Sequence, residues 1–273
     1  MRSEMTTTKT VKVNGIDIRF SDEGPNNAPV VMMSHSLSAE LGMWDPQIST
    51  LKDDYRIIRF DTRGHGGSSA PVGPYTLEML ADDAIGLMDA LELMSVHWVG
   101  LSMGGMIGQT VALKAPERLK SLTLADTSSG YPAEAVAGWE ERISAARKNG
   151  MAAGLSGTIE RWFSPGFVKA EPEIIDRISQ MIVSTPIEGY CGCGSAISRL
   201  NITPRLGEIS APTLVIVGED DPGTPVEMSE IMAKGIPGAK LVILPIARHL
   251  SNIEDPEGFN QALKDFLDSV SST

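Results

Sequence analysis

Val96-His97-Trp98-Val99-Gly100-Leu101-Ser102-Met103-Gly104-Gly105 is the stretch that decides the reading of this chain. An apolar run ends in Gly-x-Ser-x-Gly, and an apolar-periodic segment from Met106 to Leu113 follows. Strand, tight turn and helix in that order make a nucleophile elbow, whose strained turn lifts a serine hydroxyl clear of the sheet. Glycine two residues to either side keeps a Cβ out of the neighbouring chain. A serine hydroxyl is a weak nucleophile until a base takes its proton, so the motif demands a histidine and a carboxylate as well.

Both follow downstream, in the order serine, acid, histidine. The apolar run Thr213-Leu214-Val215-Ile216-Val217-Gly218 leads into Glu219-Asp220-Asp221-Pro222, and Leu241-Val242-Ile243-Leu244 leads into Pro245-Ile246-Ala247-Arg248-His249. Asp221 and His249 therefore stand, like Ser102, just past the end of a buried strand, where parallel sheets place their ligands. Spacing alone does not separate Asp220 from Asp221. Thr224-Pro225-Val226-Glu227 also has the form of a capping box with proline at the first helical position, which would make Asp221 a turn residue.

The rest of the chain supplies the sheet. Val11, Val13, Ile16, Ile18 and Phe20 flank Asn14-Gly15, a two-residue type I′ hairpin turn. Strands at 55–60 and 121–125 then alternate with a helix carrying Leu80, Ala84, Leu87 and Leu91 on one face, and the closing helix turns Phe259, Leu263, Phe266 and Val270 inward. This alternation predicts an α/β fold, with a mostly parallel sheet covered by helices on both faces. From about Tyr131 to Arg205 it stops, and helical segments rich in Ala, Met and Trp take over. The expected organisation is a core of residues 1–130 and 206–273 with a helical cap, or lid, inserted at 131–205.

Gly100-Leu101-Ser102-Met103-Gly104-Gly105, Asp61-Thr62-Arg63-Gly64-His65-Gly66-Gly67-Ser68, Gly218-Glu219-Asp220-Asp221-Pro222 and Ala247-Arg248-His249 resemble the signatures of the α/β-hydrolase superfamily. Within it the chain is most similar to the 3-oxoadipate enol-lactonases and their carboxylesterase relatives. The resemblance runs from about Val11 to about Phe266 and includes Gly189-Tyr190-Cys191-Gly192-Cys193. It implies Ser102 as nucleophile, His249 as base and Asp221, the aspartate directly before the proline-containing turn, as the acid. It also implies an oxyanion hole from the backbone N–H groups of Met103 and of Leu37, in the loop after Pro29-Val30-Val31-Met32-Met33. Two positions depart from the pattern: Ser36 stands where relatives carry glycine after the histidine, and Arg248 where they carry glycine before the catalytic histidine.

The implied activity is hydrolysis of a small carboxylic ester or lactone. Carbon–carbon bond hydrolysis and perhydrolysis use the same three residues, and a receptor of the same fold would bind without turnover. Trp139, Trp162, Phe163, Phe167 and Tyr190 concentrate aromatic side chains in the 131–205 segment and are candidates to line a substrate pocket. An enol-lactone carrying a carboxylate needs a cation nearby, for which Arg161, Lys169 and Arg199 are the candidates, Arg161 foremost. His35 and His65 are read as support for the pocket, and His97 as a packed residue.

Charge and composition narrow the remaining classes. The chain has 23 Lys and Arg against 35 Asp and Glu, a net charge of −12. Eight acids and eight bases balance within 131–205, so the excess lies entirely outside that segment. An acidic surface argues against nucleic acid and anionic membrane as partners. The glycines give neither G-x-G-x-x-G nor a G-K-[ST] phosphate loop, and the two cysteines, Cys191 and Cys193, stand at no zinc-ligand spacing, so neither cofactor nor metal is expected. Met1 to Thr8 holds no apolar targeting stretch and no run reaches membrane-spanning length, which points to a cytoplasmic protein acting on a small molecule.

Overall fold

The computed structural model describes residues 7–132 and 134–271; most of the N-terminal stretch examined for targeting, residues 1–6, lies outside them. Eight strands form one sheet: β1 (Thr8–Val13), β2 (Ile16–Glu23), β3 (Val30–Ser34), β4 (Arg56–Phe60), β5 (Val96–Leu101), β6 (Leu119–Ala125), β7 (Thr213–Gly218) and β8 (Lys240–Leu244). Their order is β1-β2-β4-β3-β5-β6-β7-β8. β1 and β2 pair antiparallel with Val13 opposite Ile16, and Asn14 and Gly15 both adopt positive φ, as a type I′ turn requires. β2 meets β4 antiparallel, and every pairing beyond is parallel.

Helices α1 (Asp45–Leu51), α2 (Leu77–Ala90) and α3 (Met103–Lys114) connect the first six strands. Between β6 and β7 the chain builds α4 (Ala135–Asn149), α5 (Leu155–Trp162), α6 (Pro165–Ala170), α7 (Pro172–Ser184) and α8 (Ile187–Ile197). α9 (Val226–Gly235) joins β7 to β8, and α10 (Ser251–Glu254) and α11 (Pro256–Ser271) close the chain.

Period-2 alternation splits the central strands between two cores. Met32, Trp98, Leu122, Leu124 and Val215 pack on one face with α2, α3 and α9, whereas Val31, Met33, Val99, Leu214 and Ile216 pack on the other with α1, α10 and α11. β5, β6 and β7 lie in the middle of the sheet, so their C-terminal ends are fixed by strands on both sides. The site is built from the loops that leave these ends together with those after β3 and the edge strand β8.

Candidate active site

Ser102 sits at the turn between β5 and α3 with φ +54° and ψ −116°, a conformation L residues rarely adopt. The glycines around it are sterically required. A Cβ at Gly104 would collide with the carbonyl of Ser34, and one at Gly100 with the carbonyl of Gly104. Two hydrogen bonds pin the strained residue: its N–H donates to the Ala125 carbonyl at 2.9 Å, and its carbonyl accepts from the Thr127 hydroxyl at 2.6 Å.

The loops after β7 and β8 bring Asp221 and His249 to this turn. His249 Nε2 lies 3.0 Å from Ser102 Oγ, and Nδ1 lies 2.7 Å from Asp221 Oδ2. All three residues are buried, with Ser102 retaining 8% exposure. Asp220, by contrast, is exposed, so adjacency in sequence is resolved by burial. Asp221 Oδ1 accepts from the N–H groups of Gly223 (2.7 Å) and Thr224 (3.2 Å), and Oδ2 accepts from the Thr224 hydroxyl at 2.6 Å.

That last contact corrects the capping-box reading. Pro225, not Thr224, occupies the N-cap position of α9, and no side chain caps the helix. The Thr224 hydroxyl donates to the buried Asp221 carboxylate instead, a charge-assisted bond.

Burial works against the charge of Asp221, but His249 and the Thr224 and Gly223 donors overcome it and hold its pKa below the ordinary carboxylate range. Burial likewise opposes the charged form of His249; the Asp221 carboxylate, assisted by Asp126, outweighs burial and sets the imidazole pKa above its ordinary value. Arg248 does not face the ring. Its guanidinium reaches the Glu160 carbonyl and its N–H donates to Glu254 at 2.9 Å.

On the opposite side of Ser102 lies the loop Ser36-Leu37-Ser38. Among the described residues the N–H groups of Leu37 and Met103 have no protein acceptor, whereas that of Ser38 donates to His65 Nε2 at 3.0 Å. His35 Nδ1 donates to the Ser36 carbonyl at 2.7 Å and its Nε2 accepts from Thr62 N–H at 3.0 Å. Burial depresses both rings, His35 to about 4 and His65 to about 3, so both stay neutral and keep one nitrogen free to accept. These two histidines brace the loop; for His65 this is a more specific role than shaping the pocket floor.

A cavity of about 300 Å³ opens above Ser102 and His249. Trp139, Arg161, Trp162 and Tyr190 all line it, as do Leu37 and Ser38. Two of the aromatic candidates do not: Phe163 and Phe167 stack on each other with ring centroids 5.1 Å apart. Of the three cation candidates only Arg161 reaches the cavity. Lys169 borders a separate groove beside Leu155 and Pro165, and Arg199 another between α2, α3 and α8.

Arg142, which sequence reasoning passed over, joins Arg161 on the wall, its guanidinium 5.0 Å from the centre of the Trp139 ring. Arg161 donates to the Thr158 hydroxyl at 3.1 Å, and neither arginine pairs with a carboxylate among the described residues. Burial, then the charge of Arg142, lowers the pKa of Arg161. The signal for Arg142 was its i, i+3 spacing from Trp139 on one helix, which places both side chains on the same face. Asp126, at the end of β6, was also missed; it is fully buried beside Asp221 and His249. Among the described residues no group of three His, Cys, Asp or Glu side chains could hold a metal ion, and no helix is long and apolar enough to cross a membrane.

Known proteins share this architecture. The chain matches the alpha/beta hydrolase fold family over residues 29–256. It is 36% identical over 255 residues to 3-oxoadipate enol-lactonase 2 of Acinetobacter baylyi, covering 93% of this chain and 94% of that one. Among solved structures, the enol-lactonase from Burkholderia xenovorans superposes with a TM-score of 0.92 at 36% identity, covering 95% of this chain and all of the other. A thermophilic esterase from Thermogutta terrifontis gives a TM-score of 0.90 at 33% identity, with 97% and 99% covered.

Proposed function

The chain belongs to the alpha/beta hydrolase fold family, and on that premise we propose that it hydrolyses small carboxylate-bearing esters or lactones through an acyl-enzyme on Ser102. One observation carries the proposal: an unbroken relay from Ser102 Oγ through His249 to Asp221, facing a cavity whose wall holds two arginines that pair with no carboxylate among the described residues. Ser102 Oγ attacks the carbonyl carbon while His249 Nε2 takes its proton, and Asp221 holds the proton on Nδ1 so that Nε2 is the free base. The N–H groups of Leu37 and Met103 receive the oxyanion, aided by the positive end of the α3 dipole. Collapse breaks the carbon–oxygen bond, and His249 returns its proton to the departing oxygen. Water then gives its proton to His249, attacks the acyl carbon and frees Ser102.

The similarity to enol-lactonases supports a lactone whose ring opening leaves both product groups on one molecule. Guanidinium groups in a protein of net charge −12 supply the local attraction that a substrate carboxylate needs. In this reading residues 131–205 act as a lid on the core, with Trp139, Arg161, Trp162 and Tyr190 contacting substrate. The protein works in the cytoplasm, a location supported by its two free thiols, Cys191 and Cys193. A turnover panel tests the reading. Purified protein should release product repeatedly from carboxylated lactones and faster than from neutral esters of equal size. Good turnover of neutral short esters with none of carboxylated lactones would leave a general carboxylesterase, and a single burst without turnover would leave a binding protein.

A further inference from the structure

The end of β6 touches every loop that carries a member of the relay. Thr127 holds the Ser102 carbonyl through its hydroxyl. Asp126, next to it, reaches the other two: Oδ1 accepts from Gly218 N–H at 2.8 Å, three residues before Asp221, and Oδ2 accepts from the Ser251 hydroxyl at 2.5 Å, two residues after His249. The backbone of Asp126 is itself fixed, its N–H donating to Ile216 at 2.9 Å. The β7 and β8 loops press together at this point, since a Cβ on Gly218 would collide with the carbonyls of Ala247 and Arg248.

We propose that Asp126 is a positioning residue: one fully buried carboxyl ties the Asp221 loop to the His249 loop and sets the separation at which Nδ1 meets Oδ2. The role rests on the hydrolase reading above, because it acts through His249. Asp126 occupies left-handed backbone at φ +43°, which aspartate and asparagine tolerate better than other non-glycine residues.

The charged groups that face it are the Asp221 carboxylate from the β7 loop and the His249 ring from the β8 loop, and among the described residues no Lys or Arg pairs with it. A second carboxylate beside Asp221 in a buried site is held neutral by burial first and by the charge of Asp221 next, which together push it up to about 8. Asp126 therefore clamps as the acid at neutral pH. Above that value it ionises, places a second negative charge next to His249 and makes the imidazolium slower to surrender its proton to a leaving group.

Two variants and two readouts test this. Asp126→Asn preserves the left-handed backbone and the acceptor for Gly218 but cannot ionise. It should lower kcat by no more than about fivefold, the worth of roughly one hydrogen bond, and should abolish an inflection near pH 8 present in wild-type kcat. Ser251→Ala, which cuts the tie to the His249 loop, should lower kcat about fivefold at unchanged KM, consistent with the cost of one buried neutral hydrogen bond. A pH titration of the His249 ring by NMR reads the same coupling without substrate: a second step near 8 in wild type, absent from Asp126→Asn. If the hydrolase reading fails, turnover is lost from wild type while the NMR step remains. If the two NMR titrations superimpose, or if Ser251→Ala leaves kcat untouched in an active enzyme, the clamp is overturned.

Discussion

The floor and the roof of the cavity are built on different principles. The floor consists of turns at the ends of adjacent strands, each fixed by backbone hydrogen bonds: Ser102 to Ala125, Asp126 to Ile216, Glu219 to Leu244, Asp220 to Ala247. The roof consists of side chains projecting from helix faces, Trp139 and Arg142 from α4, Thr158, Arg161 and Trp162 from α5, Tyr190 from α8. A turn at a strand end has few degrees of freedom, so its sequence dictates where the side chain goes. A helix face offers many directions, and tertiary packing chooses among them. In the proposed function the floor carries the chemistry and the roof the selectivity.

The sharpest way to break this division is at its centre. Ser102→Ala should lower turnover by roughly three orders of magnitude or more, since members of such a relay act as a unit. Labelling by a serine-directed phosphonate should vanish while circular dichroism and Tm stay near wild type. An alanine variant that keeps most of its turnover would move the nucleophile elsewhere.

Next in size is the contrast between neighbours in the β7 loop. Asp221→Asn should cost about 10³ to 10⁴ in kcat by stabilising the wrong imidazole tautomer, whereas the exposed Asp220→Asn should change little. The pH profile sharpens the comparison. His249 must be neutral to act as base, so activity is lost as pH falls through its pKa, which in wild type lies above the ordinary value. Removing the Asp221 charge leaves burial as the dominant influence, and the residual activity of Asp221→Asn should lose its acidic limb at lower pH than wild type. A limb that stays in place would show that Asp221 does not govern the ring.

The same division explains how much was legible in the sequence. Gly100-x-Ser102-x-Gly104 could be read because a collision at either glycine is a local backbone event. The hairpin at Asn14-Gly15 and the inward faces of α2 and α11 were equally local. Asp221 needed more, since the Thr224-to-Glu227 spacing fits a capping box as well as it fits a triad acid, and only burial of the carboxylate decides where the Thr224 hydroxyl goes. Asp126 left no signal because it lies in no motif and matters through partners 92 and 125 residues away. Lys169 and Arg199 misled for the complementary reason: both lie in the right segment, but Lys169 on α6 and Arg199 in the turn after α8 border other grooves.

The roof itself carries the smallest predicted effect. Arg161 lies partly exposed at the cavity wall and donates to Thr158, so its attraction for a bound anion is screened by solvent on one side. A charge-assisted hydrogen bond is worth about 1.5 to 3 kcal/mol, and screening brings the expected penalty to the lower end. Arg161→Ala should therefore raise KM for a carboxylated lactone about tenfold, with kcat nearly constant and with p-nitrophenyl acetate hardly affected. Arg142→Ala should act in the same sense. Because Arg142 also lowers the pKa of Arg161 by repulsion, the double variant should lose more than either single change predicts for the remaining arginine. Lys169→Ala and Arg199→Ala, which border other grooves, should leave both substrates alone. If KM for the carboxylated substrate responds to Lys169 or Arg199 and not to Arg161 or Arg142, the anion enters elsewhere, and helix packing at the roof does not set selectivity as argued.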